Sequence, residues 1–319
     1  MHDWPCMVFC LLSGNLRANH RRSCRCGTCD DLTMSLELKP FPGSFGTEVV
    51  GVDLSCERVL SSHWTLADMN SLRHEFDSRH LLFFRGGCMT GEQQVAFVAR
   101  FGPLLAERNL WSYVSNSRPD GIIREGRLLF HSDFAFTPHP VLGISLHSLE
   151  APASGAPTSF INVERAAKAL PVDLRAALEG RSVLNVYDFH LPDDAPMRLE
   201  NIRPNSPRCE RPIFGTHPRT GTEVITASEL HSDSIVGMSS KEGRALLREL
   251  FDFMYDASNV VEHHWVVGDL LLWDNISLQH GRPEFDLAES RTLQRVTLGQ
   301  YTPAELVEGL NELLKVSAT

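Results

Sequence analysis

The tripeptide His-Ser-Asp occurs twice, as His131-Ser132-Asp133 and as His231-Ser232-Asp233. Residues two apart on a strand share a face, about 6 to 7 Å along it, so either pair can reach one metal ion if its strand runs into a turn. The pattern alone does not choose between the copies. A third ligand must come from elsewhere. His280 offers itself in the segment Trp273-Asp274-Asn275-Ile276-Ser277-Leu278-Gln279-His280, after an apolar strand. Two histidines and one carboxylate on one face leave three positions open, which suits non-heme Fe(II) and dioxygen. Further on, Arg291, Leu293, Arg295 and Thr297 alternate onto one face of a strand, so two guanidiniums would enter one cavity. Arginine inside a barrel needs an anion. A dicarboxylate supplies one: its remote carboxylate can accept a bidentate pair from Arg291 while its 2-oxo acid end chelates iron.

These side chains need a frame of strands with tight ends. Apolar segments of strand length predict strands at 128–136, 141–148, 158–161, 212–216, 223–227, 260–266, 269–274 and 291–300, with polar turns such as 217–221 and 267–269 between them. Helices are fewer. Leu66, Met69, Leu72 and Phe76 recur at helical spacing ahead of the buried run His80 to Arg85, and capping boxes at Thr90 to Gln93 and Ser239 to Glu242 open two more. Many short strands and few helices predict a mainly β sandwich or barrel, built as one domain without internal repeats.

Composition narrows the partners. Of 319 residues 42% are hydrophobic, as expected of an ordinary globular protein. Forty acidic against thirty basic side chains give a formal charge of −10, which leaves no broad cationic surface for nucleic acid. No run approaches the roughly 18 apolar residues of a membrane span, and Met1 to Pro5 lacks the basic residues of a signal peptide. The expectation is a cytoplasmic protein that takes a small-molecule substrate, with no nucleic-acid or membrane partner and with homo-oligomerisation left open. Cys6, Cys10, Cys24, Cys26 and Cys29 crowd the first 29 residues without the paired spacing of structural zinc sites. Residues 1–33 are therefore read as a leader, and 34–319 as the domain.

From about Leu36 to Gly299 the order of motifs resembles the family of iron(II)- and 2-oxoglutarate-dependent dioxygenases that includes taurine dioxygenase and 2,4-dichlorophenoxyacetate dioxygenase. His131 and Asp133 come first. A small-residue turn ending in Thr158 follows (Gly155-Ala156-Pro157-Thr158), then Trp273-Asp274-Asn275 leading to His280, then Arg291 and Arg295, 11 and 15 residues beyond it. Gly46 to Gly51 and Arg100 to Leu104 also look like the family. The resemblance implies a double-stranded β-helix, a cupin-like jelly roll with flanking helices. It implies Fe(II) on His131, Asp133 and His280, and 2-oxoglutarate held at its remote carboxylate by Arg291 and Thr158. Arg295 would sit nearer the iron-bound end or the substrate's acidic group. The implied reaction uses dioxygen to hydroxylate a small substrate, or to cleave it after hydroxylation, and releases succinate and carbon dioxide. Asp133 favours hydroxylation, because related halogenases lack that carboxylate.

Departures from the family pattern carry information too. Ile276 stands where the family commonly has arginine, and Gly155-Ala156-Pro157-Thr158 replaces Gly-Gly-Asp-Thr. Arg127 stands where taurine dioxygenases place a substrate-contacting asparagine, which argues against taurine and for another anionic substrate, while a surface arginine is an equally good account of it. His231 precedes the capped helix at Ser239 and has no suitable threonine after it, so it is read as part of a loop near the site mouth that could touch substrate. His263 and His264 must face opposite ways on a strand and cannot share a metal. Two other readings stay open: a redox-neutral metalloenzyme with the same ligands, which leaves Arg291 and Arg295 without an obvious anion, and a non-catalytic small-molecule binding protein on the same barrel.

Overall fold

The strand Leu81–Phe84 is buried at every position because it meets apolar groups on both faces. Phe83 turns toward the ring of His263, with centroids 4.8 Å apart, and Phe84 turns the other way onto Phe97, 5.3 Å away. In this computed structural model, which describes residues 36–41, 45–52, 54, 64–105, 109–122, 126–139, 141–153 and 156–300, that strand belongs to an eight-stranded sheet. Its order is Glu37–Pro40, Thr47–Val50, Leu81–Phe84, Leu270–Asp274, Gly143–Glu150, Thr292–Leu298, Ser112–Ser115 and Gly121–Ile122. A four-stranded sheet runs Val261–His263, Thr158–Asn162, Leu278–Arg282, Leu128–His131, antiparallel throughout. The two share a core: Leu146, Leu271, Trp273 and Leu293 from the first meet Phe160 and Leu278 from the second. Two smaller sheets, of three and two strands, flank them.

Among the described residues, five α-helices accompany the strands. Helix α1 (Leu66–Arg79) and α2 (Gly91–Val98) open on reciprocal capping boxes, Thr65 with Asp68 and Thr90 with Gln93. The α1 box was not foreseen, because Asp rather than Glu or Gln closes it. Helices α3 (Val163–Ala169) and α4 (Val172–Leu178) are seven residues each, too short to leave a periodic signal in the sequence. Helix α5 (Ser240–Met254) is capped by the Ser239 hydroxyl. It buries Leu247, Leu250 and Met254 against Leu174 and Leu178 of α4 and Val183. Each such side chain contributes about 1.5–3 kcal/mol, and Leu250→Ala would cost about 2–5 kcal/mol. No helix among the described residues is long and apolar enough to cross a membrane.

Some expected strands are shorter or divided, as at 260–266, where the strand is Val261–His263, and at 212–216, which falls on Arg208–Pro212 and Phe214–Thr216; three further differences bear on the site. The strand expected at 128–136 stops at His131 and a turn takes over, with Phe134 in the left-handed region at φ 59°. His280 does not follow directly on the apolar strand: Leu270–Asp274 closes in a turn, and His280 lies within the next strand, Leu278–Arg282. His231 does end an irregular stretch, in the turn before the strand Ser232–Ile235, but it is buried there rather than exposed at a mouth. The leader expected at 1–33, its cysteines and Gly155 lie outside the described residues.

Candidate active site

Strand pairing brings the two histidines together. His131 and His280 are direct partners across antiparallel neighbours, and their ring centroids are 4.3 Å apart. Gly281 makes this register fit, since a Cβ there would meet the Leu128 carbonyl at 2.9 Å. Asp133 reaches them because the chain turns straight after His131. Its Oδ1 lies 3.0 Å from His131 Nε2 and 3.7 Å from His280 Nε2. The three ligand atoms fall within 4.8 Å of one another, the one such group of His, Cys, Asp or Glu among the described residues.

Protonation shows that the cluster suits a cation. His131 Nδ1 donates to the Leu129 carbonyl at 2.9 Å, so a neutral ring turns the Nε2 lone pair onto Asp133 Oδ1. Two acceptors at that distance need a positive charge between them, a proton or a metal ion. Burial disfavours ionised Asp133, yet Arg295 and both histidines outweigh it and hold the carboxyl well below its ordinary range. Burial and His131 push His280 down to about 3 against the pull of Asp133, which keeps it neutral and free to coordinate. Burial opposes a charged His131, but the hydrogen bond and charge of Asp133 raise its pKa, so the positive charge between them is a proton until a metal ion takes its place; the two imidazoles and the carboxylate then form a donor set fitted to a divalent first-row metal.

Beside the cluster is a cavity of about 40 Å³ lined by Asp133, Thr158, His280, Arg282, Arg291 and Arg295 among apolar side chains. The alternation expected of 291–297 therefore holds, and both arginines enter one space. Arg291 is only 3% exposed. Its Nη2 donates to Thr158 Oγ1 at 3.4 Å, and burial with the nearby charge of Arg282 pulls its pKa down to about 9. A guanidinium so placed is a site for an anion. Arg295 donates to Asp133 Oδ2 at 2.7 Å, at the metal end of the cavity.

The second His-Ser-Asp motif divides. The His231 ring packs edge-on to His131, centroids 5.5 Å apart, inside an aromatic group of Phe136 and Tyr187. Burial lowers its pKa well below the usual value, so it is neutral. Asp233 faces away: it accepts from Arg244 Nη2 at 2.7 Å and from the Leu199 amide at 3.3 Å. Arg127 is exposed and lines a separate groove with Arg198, Glu229 and Arg248. It does not line the cavity of Asp133 and Arg291.

Several contributing residues were not singled out. Asn275 clamps the metal-side turn: its Oδ1 accepts from the Asp133 amide at 2.9 Å, and its Nδ2 donates to the Asp133 and Val141 carbonyls at 3.1 and 3.0 Å. Asp274 fixes the clamp, because its Oδ1 accepts from the Ile276 and Ser277 amides while Oδ2 accepts from His217 Nε2 at 2.9 Å and from Arg219. The Trp273-Asp274-Asn275 tripeptide was visible in sequence as a motif, but not what its amide would hold. Arg282 and Trp265 had no local signal at all.

Known proteins are similar to this chain in sequence and fold. Residues 37–297 match the family model described as taurine catabolism dioxygenase TauD, TfdA family. The chain is 28% identical over 282 residues to an (S)-phenoxypropionate/alpha-ketoglutarate-dioxygenase of Sphingobium herbicidovorans, covering 82% of this chain and 94% of that one. It is 29% identical over 296 residues to an alpha-ketoglutarate-dependent 2,4-dichlorophenoxyacetate dioxygenase of Cupriavidus pinatubonensis, covering 83% and 98%. Among solved structures, AAD-2 in complex with Mn(II) and N-oxalylglycine superposes with a TM-score of 0.70 at 25% identity, over 84% of this chain and 98% of that one. With a family model matched across both sheets and a His-Asp-His cluster beside buried arginines, the chain belongs to the TauD/TfdA family and is a 2-oxoglutarate-dependent dioxygenase.

Proposed function

We propose that this enzyme hydroxylates a small anionic organic substrate, or cleaves it by hydroxylation, with Fe(II) held by His131, Asp133 and His280 in a double-stranded β-helix. The observation that carries the reading is the deeply buried Arg291. It shares a cavity with the metal cluster, its hydrogen-bond partner Thr158 is uncharged, and the charge nearest in effect is another arginine. A dicarboxylate that reaches from the cluster to Arg291 satisfies both ends. Bound there, ferrous iron supplies the dioxygen chemistry that couples decarboxylation of 2-oxoglutarate to oxidation of substrate.

The chain's own residues do the rest. His131 is kept in the Nε2-coordinating tautomer by the Leu129 carbonyl, and Asp133 is kept ionised by Arg295. Arg295 lines the cavity and donates to Asp133 Oδ2. From there its guanidinium can also pair with an incoming carboxylate or with the substrate's acidic group. The aromatic side chains of Phe136 and Tyr187 pack on His231, which itself packs on His131, and they exclude water and offer an apolar wall to an organic substrate. Relatives named for phenoxypropionate and 2,4-dichlorophenoxyacetate make aryloxyalkanoates the first compounds to try.

The test is succinate release from 2-oxoglutarate with Fe(II), with and without a panel of aryloxyalkanoates and other organic anions. Stimulated succinate formation matched by an oxidised product supports the reading. A substrate consumed without succinate would point to redox-neutral metal chemistry.

A further inference from the structure

The wall of the cavity opposite the metal contains a hydroxyl whose direction is set from behind. Thr158 opens the strand Thr158–Asn162 and pairs across it with His263. Two residues beyond His263, the Trp265 indole Nε1 donates to Thr158 Oγ1 at 3.0 Å. Arg291 Nη2 donates to the same oxygen at 3.4 Å. A threonine oxygen has two lone pairs and one proton. With both lone pairs engaged by N–H donors, the proton takes the remaining direction, and Thr158 lines the cavity.

We propose that Trp265 is a positioning residue which fixes the Thr158 hydroxyl as a donor, so that this end of the cavity presents only donors and selects a carboxylate. The inference rests on the reading that Thr158 and Arg291 hold the remote carboxylate of 2-oxoglutarate. Trp265 is itself held in place. It is buried, its ring lies edge-on to His263 at 4.7 Å, and the Val266 amide next to it donates to Asp269 Oδ2 at 3.0 Å. The same carboxylate oxygen lies 3.0 Å from His263 Nε2, so ring and chain are locked together. An indole N–H with one acceptor, on a braced ring, leaves the hydroxyl little freedom to reverse. A carboxylate then meets a pre-aimed O–H as well as a guanidinium, and binding does not spend free energy on ordering the rotor.

A double-mutant cycle tests this on intact protein. The readout is the dissociation constant of 2-oxoglutarate from the anaerobic Fe(II) complex, followed by its visible charge-transfer absorption. Thr158→Val should weaken binding by about 10- to 100-fold, as for loss of a hydrogen bond to a charged group. Trp265→Phe should weaken it by about fivefold in the wild-type background and by less than twofold in Thr158→Val. Fe(II) affinity should be unchanged in all three. Equal weakening in both backgrounds, or none in the wild type, overturns the positioning role. If Thr158→Val itself binds normally, it is the underlying placement of the co-substrate that fails. Should Trp265→Phe lower the melting temperature, benzothienylalanine at 265, which replaces N–H by sulfur at nearly constant shape, repeats the cycle and decides it.

Discussion

His131-Ser132-Asp133 and His231-Ser232-Asp233 are the same letters in two settings, and the settings give them different chemistry. In the first, the strand ends on the histidine and a turn with Phe134 in the left-handed region swings the aspartate back to 3.0 Å from it. In the second, the strand begins after the histidine, and its pairing with Ser182–Val186 slips by one residue between Ser232 and Ser234. Asp233 is the extra residue of that bulge, and a bulge re-aims its side chain. The carboxylate leaves for Arg244 on α5, while His231 stays buried beside His131. A metal-binding pair thus depends less on residue spacing than on where the strand stops.

The sharpest break of this comparison is Asp133→Ala against Asp233→Ala. Asp133→Ala should lose more than about 100-fold in Fe(II) affinity, together with the anaerobic absorption of the 2-oxoglutarate complex. Asp233→Ala should keep both, and the reverse outcome would reassign the metal to the second motif. Next in size is Arg291→Gln, which should weaken 2-oxoglutarate by about 10- to 100-fold while leaving Fe(II) affinity intact, as titrations of each ligand would show. Asn275→Ala removes what holds the first turn in shape, and metal affinity should fall by about tenfold or more on calorimetric titration.

Asp274→Asn probes the brace behind that turn, and pH gives it a sign. Burial opposes ionised Asp274, but His217 and Arg219 prevail and hold its pKa at about 2, below the unfolded value near 3.9. The stabilisation is full above pH 4 and is lost as pH falls toward 2, amounting to about 2 kcal/mol. Denaturant unfolding should therefore show wild type more stable than Asp274→Asn at pH 6, with the gap closing by pH 2. The smallest effect belongs to the second motif: Asp233→Ala should cost about 1–2 kcal/mol of stability through the partly exposed Arg244 pair, visible as a lower urea midpoint.

Legibility follows the range of the interactions involved. Helix α2 could be placed because Thr90 and Gln93 close their capping box within one turn, and the burial of Leu81–Phe84 because the run is apolar throughout. Arg291 and Arg295 could be assigned to one cavity because alternation along a strand is local geometry. Helices α3 and α4 were missed for want of length, and the burial of His231 was missed because it comes from Phe136 and Tyr187, which no local pattern connects to it.

The sequence by itself determined which side chains were available and in what order: two imidazoles, a carboxylate, a threonine and a pair of arginines, with residue types that fit a divalent metal and a dicarboxylate. Tertiary structure alone decided which His-Ser-Asp copy meets His280, that Asn275 would clamp Asp133, and that Trp265 would aim Thr158. The physical reason is that these contacts join strands far apart in the chain, and their geometry depends on register, bulge and turn. A shift of one residue in any of these sends the same side chain to the opposite face.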